Sequence, residues 1–257
     1  MIFLAASLLL AACAKEDFSK AGSLSQAVSS DAVIPELNTC KIRNIYQNSF
    51  NPGSGEPLVA NGLFTYNSKG NPYSVTYSNE GTGVLNHYFL YDKQNRLIEY
   101  QESYVTFPVV RHIYKYQGTG TRIIKDSTIR INPGNGEINT IHVSTLEYDS
   151  QGRVIKETIV NTYSGPGWPV NPTRRPTYTY DSRGNLAVAG WKSSSYDYKI
   201  NPLRQNAIFQ FIFRNYSMNN AAVQPKYNSR GLPLSMKPSN DAFFNSSETI
   251  RVVYDCN

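Results

Sequence analysis

The chain has 257 residues, which is enough for one large β-domain with a sizeable core. Its 19 Tyr and 11 Phe, together with many Thr, Ser and Asn, favour strands over helices. The net charge is +6, but Lys and Arg are spread singly along the sequence. We therefore expect a mildly basic, solvated surface and no nucleic-acid partner.

The sequence opens with a short apolar stretch that leads to a cysteine. Residues 2–10 are too few to span a bilayer core of about 30 Å, but they have the length of a signal-peptide apolar region. The run Leu10-Ala11-Ala12-Cys13 resembles the lipobox of bacterial lipoproteins, whose cysteine is alkylated with diacylglycerol. It predicts that 1–12 is a lipoprotein signal peptide and that a lipid on Cys13 anchors the protein to a membrane. The alternative is a secretory leader with an incidental cysteine.

The residues after Cys13 are predicted to form a lipidated, flexible tether over 13–38. They are rich in Ser and Ala and show little strand pattern. Lys15, Glu16 and Asp17 resemble the lysine-and-acids signal that sends some Bacteroidota lipoproteins to the outer face of the outer membrane. We therefore expect an outer-membrane lipoprotein that faces the cell exterior.

The remaining cysteines, Cys40 and Cys256, lie near the two ends of the predicted domain, 39–257. An even pair in an oxidising compartment favours a disulfide, and two reduced thiols are the alternative. No spacing of His and Cys supports a metal site, and no cofactor fingerprint is present, so we expect neither a metal nor a cofactor.

A short motif recurs along the domain: Tyr, then Asp or Asn, two polar residues, and Gly or Asn. Tyr ends an extended run, Asp or Asn opens a type I turn by accepting backbone N–H bonds, and Gly or Asn takes the left-handed position. Each copy therefore predicts a β-hairpin corner. The predicted corner residues are Tyr66, Asn67 and Gly70; Tyr91, Asp92 and Asn95; Tyr148, Asp149 and Gly152; Tyr180, Asp181 and Gly184; and Tyr227, Asn228 and Gly231. A degenerate copy, YKYQGTGTR, ends at Arg122.

The segments between the corners are rich in β-branched and aromatic residues, with apolar residues on both faces in places. This pattern predicts a single all-β domain, a curved antiparallel β-meander or partial barrel of repeated hairpins. The corners are unevenly spaced, with 25 residues from Tyr66 to Tyr91 but 57 from Tyr91 to Tyr148, which argues against strict solenoid stacking. At most one short helix is expected, near 203–214, with its apolar side against the sheet; docking of a partner is the alternative.

The loop of residues 163–176 carries Tyr163 and Trp168 among prolines and glycines. An aromatic side chain presented in this way is typical of a platform for a sugar ring or a protein partner. A tryptophan folded back onto the sheet is the alternative. We therefore predict that Tyr163 and Trp168 contribute to ligand binding.

Motifs that carry catalysis are missing from the sequence, which contains no GxSxG, no P-loop and no HExxH. We therefore expect a protein that is not an enzyme. The residues that could oppose this view are three histidines in strand-like runs and two acid pairs of the kind found in glycosidases, namely His87, His112, His142, Glu99 with Glu102, and Asp92 with Asp149.

The corner motifs resemble the tyrosine-aspartate repeats of Rhs-type proteins, and the whole chain resembles an uncharacterised family of Bacteroidota lipoproteins with a porin-like β-fold. The lipobox, the corners and the segments 196–204 and 227–236 carry this resemblance. It implies a β-fold and an outer-membrane location, but no activity. Given that location, we expect a ligand-binding or accessory role such as glycan or nutrient capture. A structural or protein-interaction role is the alternative, and a glycan-active enzyme is disfavoured.

Overall fold

A computed structural model describes residues 40–50, 57–78, 84–104, 107–187, 196–221, 224, 226–236 and 249–256. The predicted signal peptide, Cys13 and the predicted tether lie outside these residues. Within them, no helix is long and apolar enough to cross a membrane.

The described residues form fourteen strands and one short α-helix, so the all-β prediction is confirmed. The strands are β1 (Cys40–Phe50), β2 (Pro57–Tyr66), β3 (Pro72–Tyr77), β4 (Asn86–Tyr91), β5 (Leu97–Ser103), β6 (Pro108–Tyr116), β7 (Ile123–Ile131), β8 (Ile138–Tyr148), β9 (Val154–Ser164), β10 (Thr179–Tyr180), β11 (Leu186–Ala187), β12 (Lys226–Tyr227), β13 (Pro233–Met236) and β14 (Ile250–Cys256). Twelve of them form one antiparallel sheet in the order β12-β13-β14-β1-β2-β3-β4-β5-β6-β7-β8-β9, and β10 pairs with β11.

The sheet is an open meander whose described edges are β12 and β9, while β1 and β14 lie side by side in its interior. Cys40 and Cys256 are register partners on these two strands, and their sulfurs form a disulfide. The bridge predicted from the cysteine count is therefore present. It joins residues 216 positions apart in the chain, and closing so long a loop lowers the entropy of the unfolded chain and stabilises the fold by about 2–5 kcal/mol.

All five predicted corner motifs form the same turn. At Asp149, one carboxylate oxygen accepts the backbone N–H groups of Gln151 and Arg153, each at 2.9 Å. Gly152 takes the left-handed position with a φ of 77°, where a side chain would be strained. The other four corners repeat these two acceptor bonds at Asn67, Asp92, Asp181 and Asn228.

A β-bulge accompanies the corner in five hairpins of the large sheet. Tyr91 pairs with Leu97, whereas Leu90 pairs with Glu99, so Ile98 has no partner of its own. The same shift follows Tyr66, Tyr116, Tyr148 and Tyr227. Because a bulge bends its strand and increases the local twist, a bulge at each of these corners curves the whole sheet.

The corners are also bonded to one another through their tyrosines. The hydroxyl of Tyr91 donates to the backbone carbonyl of Pro72, the residue that ends the preceding corner, at 2.6 Å. Tyr116 donates in the same way to Leu97 at 2.8 Å. The series continues with Tyr66 to Ile42, Tyr148 to Ile123, Tyr180 to Val154, Tyr196 to Leu186 and Tyr254 to Pro233. We call this series the tyrosine ladder.

The ladder explains how unevenly spaced corners still stack. Tyr116, from the degenerate copy, supplies a corner between Tyr91 and Tyr148, and the remaining differences in spacing reflect strands of different length. Arginine side chains reinforce the stack, since Arg96 lies over the ring of Tyr116 with 4.6 Å from the guanidinium carbon to the ring centroid. Such a cation–π contact adds about 0.5–1 kcal/mol at an exposed site.

The predicted helical segment packs against the inner face of the curved sheet. A 3-10 helix spans Pro202–Gln205 and the α-helix α1 spans Ala207–Phe213. The Asn206 side chain caps α1 by accepting the N–H of Ile208. Phe209 is fully buried and meets Phe64 and Phe89 edge-on, with ring centroids 6.0 and 6.2 Å away. The helix therefore fills the core, as its apolar spacing predicted.

We predict that replacing Tyr148 by Phe destabilises the domain. The substitution keeps the ring but removes the 2.6 Å hydrogen bond to the Ile123 carbonyl, which we expect to lower the free energy of unfolding by about 1–2 kcal/mol. Urea unfolding followed by tryptophan fluorescence measures the change. The matched control is Tyr163→Phe, because Tyr163 is 45% exposed and belongs to no corner. Equal stability of the two variants would show that the ladder bond contributes nothing.

Candidate functional site

The face of the sheet that is turned away from α1 carries a row of side chains crossing six strands. Each member of the row is the register partner of the next, so the members share one face. They are Tyr88, Gln101, Arg111, Ile129, Ile141 and Tyr163, on β4 to β9 in turn. At about 4.8 Å per strand, the row is roughly 24 Å long. We call it the outer row.

A second row lies beside the outer row on the same face and is largely apolar. Leu90, Ile113 and Val160 are its most exposed apolar members, at 39%, 38% and 41%. These three side chains make this face apolar beside their polar neighbours Glu99 and Ser127 in the same row.

One end of the outer row opens into a shallow depression. Its lining includes Tyr73, Tyr88, Leu90 and Gln101. Tyr73 is the extra residue of the bulge after the first corner, which turns its ring outward to 60% exposure. Two tyrosine rings and an amide around one depression can stack on an apolar ring face while hydrogen-bonding its polar edge.

The polar part of the outer row is held by an ion pair. Glu99 accepts hydrogen bonds from Arg111 at 2.5 and 3.1 Å and from Gln101 at 2.8 Å. Partial burial opposes ionisation of Glu99, but the bonds from Arg111 and Gln101 outweigh it, and its pKa lies below the ordinary value. Glu99 is thus a fixed carboxylate that positions its two neighbours, and it is poorly suited to act as a general acid.

The other end of the outer row is Tyr163, which with Trp168 forms the aromatic pair predicted from the sequence. Tyr163 is 45% exposed and Trp168 is 47% exposed, so the Trp168 ring is not folded into the core. The loop that carries Trp168 begins tightly at Gly165, where a Cβ atom would lie 2.6 Å from the carbonyl oxygen of Ile138. It then returns along the edge of β9, bridging Ile159 with Arg174. Backbone pairing around the loop therefore fixes the positions of both aromatic residues.

The three histidines lie on the inner face. His87 and His112 pack on either side of Tyr100, with ring centroids 5.9 and 5.6 Å away. The Tyr100 hydroxyl is 2.8 Å from Nδ1 of His87. Burial lowers the pKa of His87 to about 3. His142 sits two strands from His112 in the same row.

Beneath α1 the inner face contains a buried charge cluster. Arg214 contacts Asp126 at 3.0 Å and Glu157 at 3.2 Å. Burial opposes its charge, but the two carboxylates outweigh this and raise the pKa of Arg214 above its ordinary value. Burial likewise opposes ionisation of Asp126, yet the hydrogen bond from His112 and the charge of Arg214 hold its pKa below the ordinary value. These groups satisfy one another and anchor the end of α1 to the sheet.

The acid pairs considered from the sequence do not come together. Glu99 lies on the outer face, whereas Glu102 pairs with His87 and lies on the inner face. Asp92 and Asp149 each accept bonds within their own turn, and the corner at Tyr116 separates them. Among the described residues no group of three or more His, Cys, Asp or Glu side chains could hold a metal ion.

The sequence predicted the residues at one end of the outer row but not those at the other end. Tyr163 and Trp168 stand out because prolines and glycines surround them. Tyr73, Tyr88 and Gln101 carry no such signal, since each lies in an ordinary strand segment. Only the strand register, including the bulges, shows that they share a face.

We predict that His87 makes stability fall as the pH is lowered. Its folded pKa of about 3 lies below the ordinary 6.5, so the unfolded chain takes up a proton that the folded protein does not. The free energy of unfolding should therefore decrease by up to about 1.4 kcal/mol per pH unit between these two values, and the contribution is fully present above pH 6.5. The His87→Phe variant should lack this component. Below pH 6.5 its free energy of unfolding should therefore fall less steeply with falling pH than that of the parent protein. Urea unfolding at several pH values measures the free energy of unfolding of both proteins. An equal pH dependence in the two would contradict the prediction.

No protein-family model and no curated protein sequence matches this chain. Solved structures that match include a crystal structure of TcdB2-TccC3-Cdc42, at 20% identity and a TM-score of 0.21, covering 50% of this chain and 7% of the matched chain. A Photorhabdus luminescens Tc holotoxin pore matches at 13% identity and a TM-score of 0.26, covering 76% of this chain and 11% of the matched chain. The chain thus spans a small fraction of both, and the repeat architecture described above stands on the geometry of this chain alone.

Proposed function

We propose that this protein is a surface lipoprotein of the outer membrane, of the Bacteroidota type, that captures an extended glycan on the outer row. The observation that carries the proposal is the outer row itself. It places the half-buried Tyr88 at one end and the exposed Tyr163 at the other end of a roughly 24 Å line, with Gln101 and Arg111 between them.

The chemistry of the row fits a sugar chain. Tyrosine rings offer flat apolar faces with a polar tip, which suits stacking against the C–H face of a sugar. Gln101 and Arg111 offer planar hydrogen-bonding groups to hydroxyls, and the ion pair with Glu99 holds them in place. A chain lying across the strands would contact Tyr88 and Tyr163 together.

The second candidate is the capture of a protein partner on the same face. Exposure of Leu90, Ile113 and Val160 favours it, because aliphatic side chains contribute little to sugar recognition and much to protein interfaces. Glycan binding and protein binding depend on different residues of the same face. Variants of those residues therefore distinguish the two functions.

We predict that Cys13 carries the lipid anchor. In a bacterial host the parent chain should incorporate labelled palmitate and partition into the detergent phase, whereas Cys13→Ser should do neither. Replacing Lys15, Glu16 and Asp17 together by Ala serves as the companion variant. It should keep the lipid but lose accessibility to protease added outside the cells. Labelling of Cys13→Ser to the parent level would refute the anchor.

We predict that glycan binding depends on both ends of the outer row. The full chain carrying Cys13→Ser, screened on a glycan array and then titrated with its best glycan, should lose about tenfold or more in affinity on either Tyr88→Ala or Tyr163→Ala, an energy of about 1.4 kcal/mol. The matched control is Tyr198→Ala, since Tyr198 is 85% exposed but lies off the row.

Two outcomes would count against glycan capture. The first is that no glycan on the array binds. The second is that a glycan binds, but its affinity does not change in Tyr88→Ala or Tyr163→Ala. If a protein partner is captured instead, Ile113→Ser and Val160→Ser should weaken it while Tyr198→Ala leaves it unchanged.

A further inference from the structure

A second polar region lies on the inner face, on the side of the sheet opposite to the outer row. Thr140 and His142 are two residues apart on β8, so both point to this face. His142 pairs with Thr128, whose hydroxyl lies 3.3 Å from the inner-face residue His112. The region is therefore separate from the proposed glycan surface.

Two polar atoms here are buried and have no hydrogen-bond partner among the described residues. They are Oγ1 of Thr140 and Nε2 of His142. Thr140 is only 2% exposed. Leaving a buried polar group without a hydrogen bond costs about 1–3 kcal/mol. Two such atoms at neighbouring positions on one strand face therefore indicate a binding site for a ligand.

Two arginines flank these atoms. Arg130 is the register partner of Thr140 on β7, and Arg174 pairs with Ile159 at the edge of β9. Neither arginine forms an ion pair within the described part of the chain. Both are exposed, so the region opens to solvent at their side.

The local charge balance is positive. Burial lowers the pKa of His142, and the charges of Arg174 and Arg130 lower it further, which keeps the ring neutral at pH 7. The acids on this face are paired elsewhere: Asp126 is held by Arg214 and His112, and Glu157 is held by Arg214. Glu102 lies two strands from Arg130 in the same row, roughly 10 Å away.

We propose that Arg130, Thr140, His142 and Arg174 form a binding site for an oxyanion, the carboxylate of an acidic sugar or a phosphate. The two guanidinium groups supply the charge and planar donors that such an anion prefers. The Thr140 hydroxyl donates one hydrogen bond, and the neutral ring of His142 donates another from Nε2. The anion thereby satisfies both buried atoms.

Histidine NMR tests the site directly. The full chain carrying Cys13→Ser and 15N-labelled histidine is titrated at constant ionic strength with sodium phosphate, with sodium galacturonate, and with neutral galactose. We expect phosphate or galacturonate to shift the His142 ring signals saturably and to raise the pKa of His142, because the bound anion offsets the two arginines. Galactose should shift nothing, and His87 and His112 should not respond.

Variants separate a binding site from a structural role. Thr140→Val should weaken anion binding about tenfold and should also stabilise the fold, because it removes an unsatisfied buried hydroxyl. Arg130→Gln should weaken binding at least as much. The matched control is Lys125→Gln, an exposed cation on the other face of β7, which should leave binding unchanged.

Three results would overturn the proposal. They are His142 signals that neither anion moves, an equal loss of binding in Lys125→Gln and Arg130→Gln, and a Thr140→Val variant that binds as well as the parent chain. The glycan surface stays intact in all of these variants, so failure here and failure of the proposed function remain distinguishable.

Discussion

The hydrogen bonds of the tyrosine ladder, in which a tyrosine hydroxyl donates to a backbone carbonyl of an earlier corner or strand, determine the arrangement of the rest of the molecule. A hydrogen bond between buried groups tolerates little displacement, so each bond fixes where one hairpin begins relative to the hairpin before it. The ladder continues past β9 through Tyr180 and Tyr196, and Tyr254 and Tyr66 bring it back to β1. Between them, Tyr227 donates to Asp197. The corners thus bond into a closed circuit, although the large sheet itself has two edges.

This circuit explains why the two faces differ so strongly. Bulges at the corners curve the sheet. The curvature narrows the space on the inner face, and side chains fill that space. Helix α1 fills it with Phe209, and the charge of Arg214 is held by Asp126 and Glu157 at the helix end. A buried cation between two carboxylates contributes little net stability, but breaking it would leave buried charges unpaired. Among the described residues no helix lies on the outer face, and several of its aromatic and aliphatic side chains are exposed.

Much of the fold could be predicted from the sequence because its determinants are local. A corner needs only Tyr148, Asp149 and Gly152 close together, and the short helix needs only apolar residues at helical spacing. The disulfide followed from counting cysteines. By contrast, membership of the outer row depends on register, and each bulge shifts the register by one residue, which moves every later side chain to the other face. For that reason Tyr88, Gln101 and Thr140 escaped notice, and so did the pairing of Thr140 with His142 on one face. Tyr196 and Tyr254 escaped for a different reason, since they join the ladder without opening a repeat turn.

The position of β1 and β14 has a consequence for encounters between copies of the chain. Proteins exchange strands most readily when the first or last strand lies at a sheet edge and can swing out into a neighbour. Here both strands are flanked on each side by other strands, and the Cys40–Cys256 bridge ties them together. The edge strands β9 and β12 are neither the first nor the last of the described strands. Copies of the chain can therefore touch one another without exchanging β1 or β14.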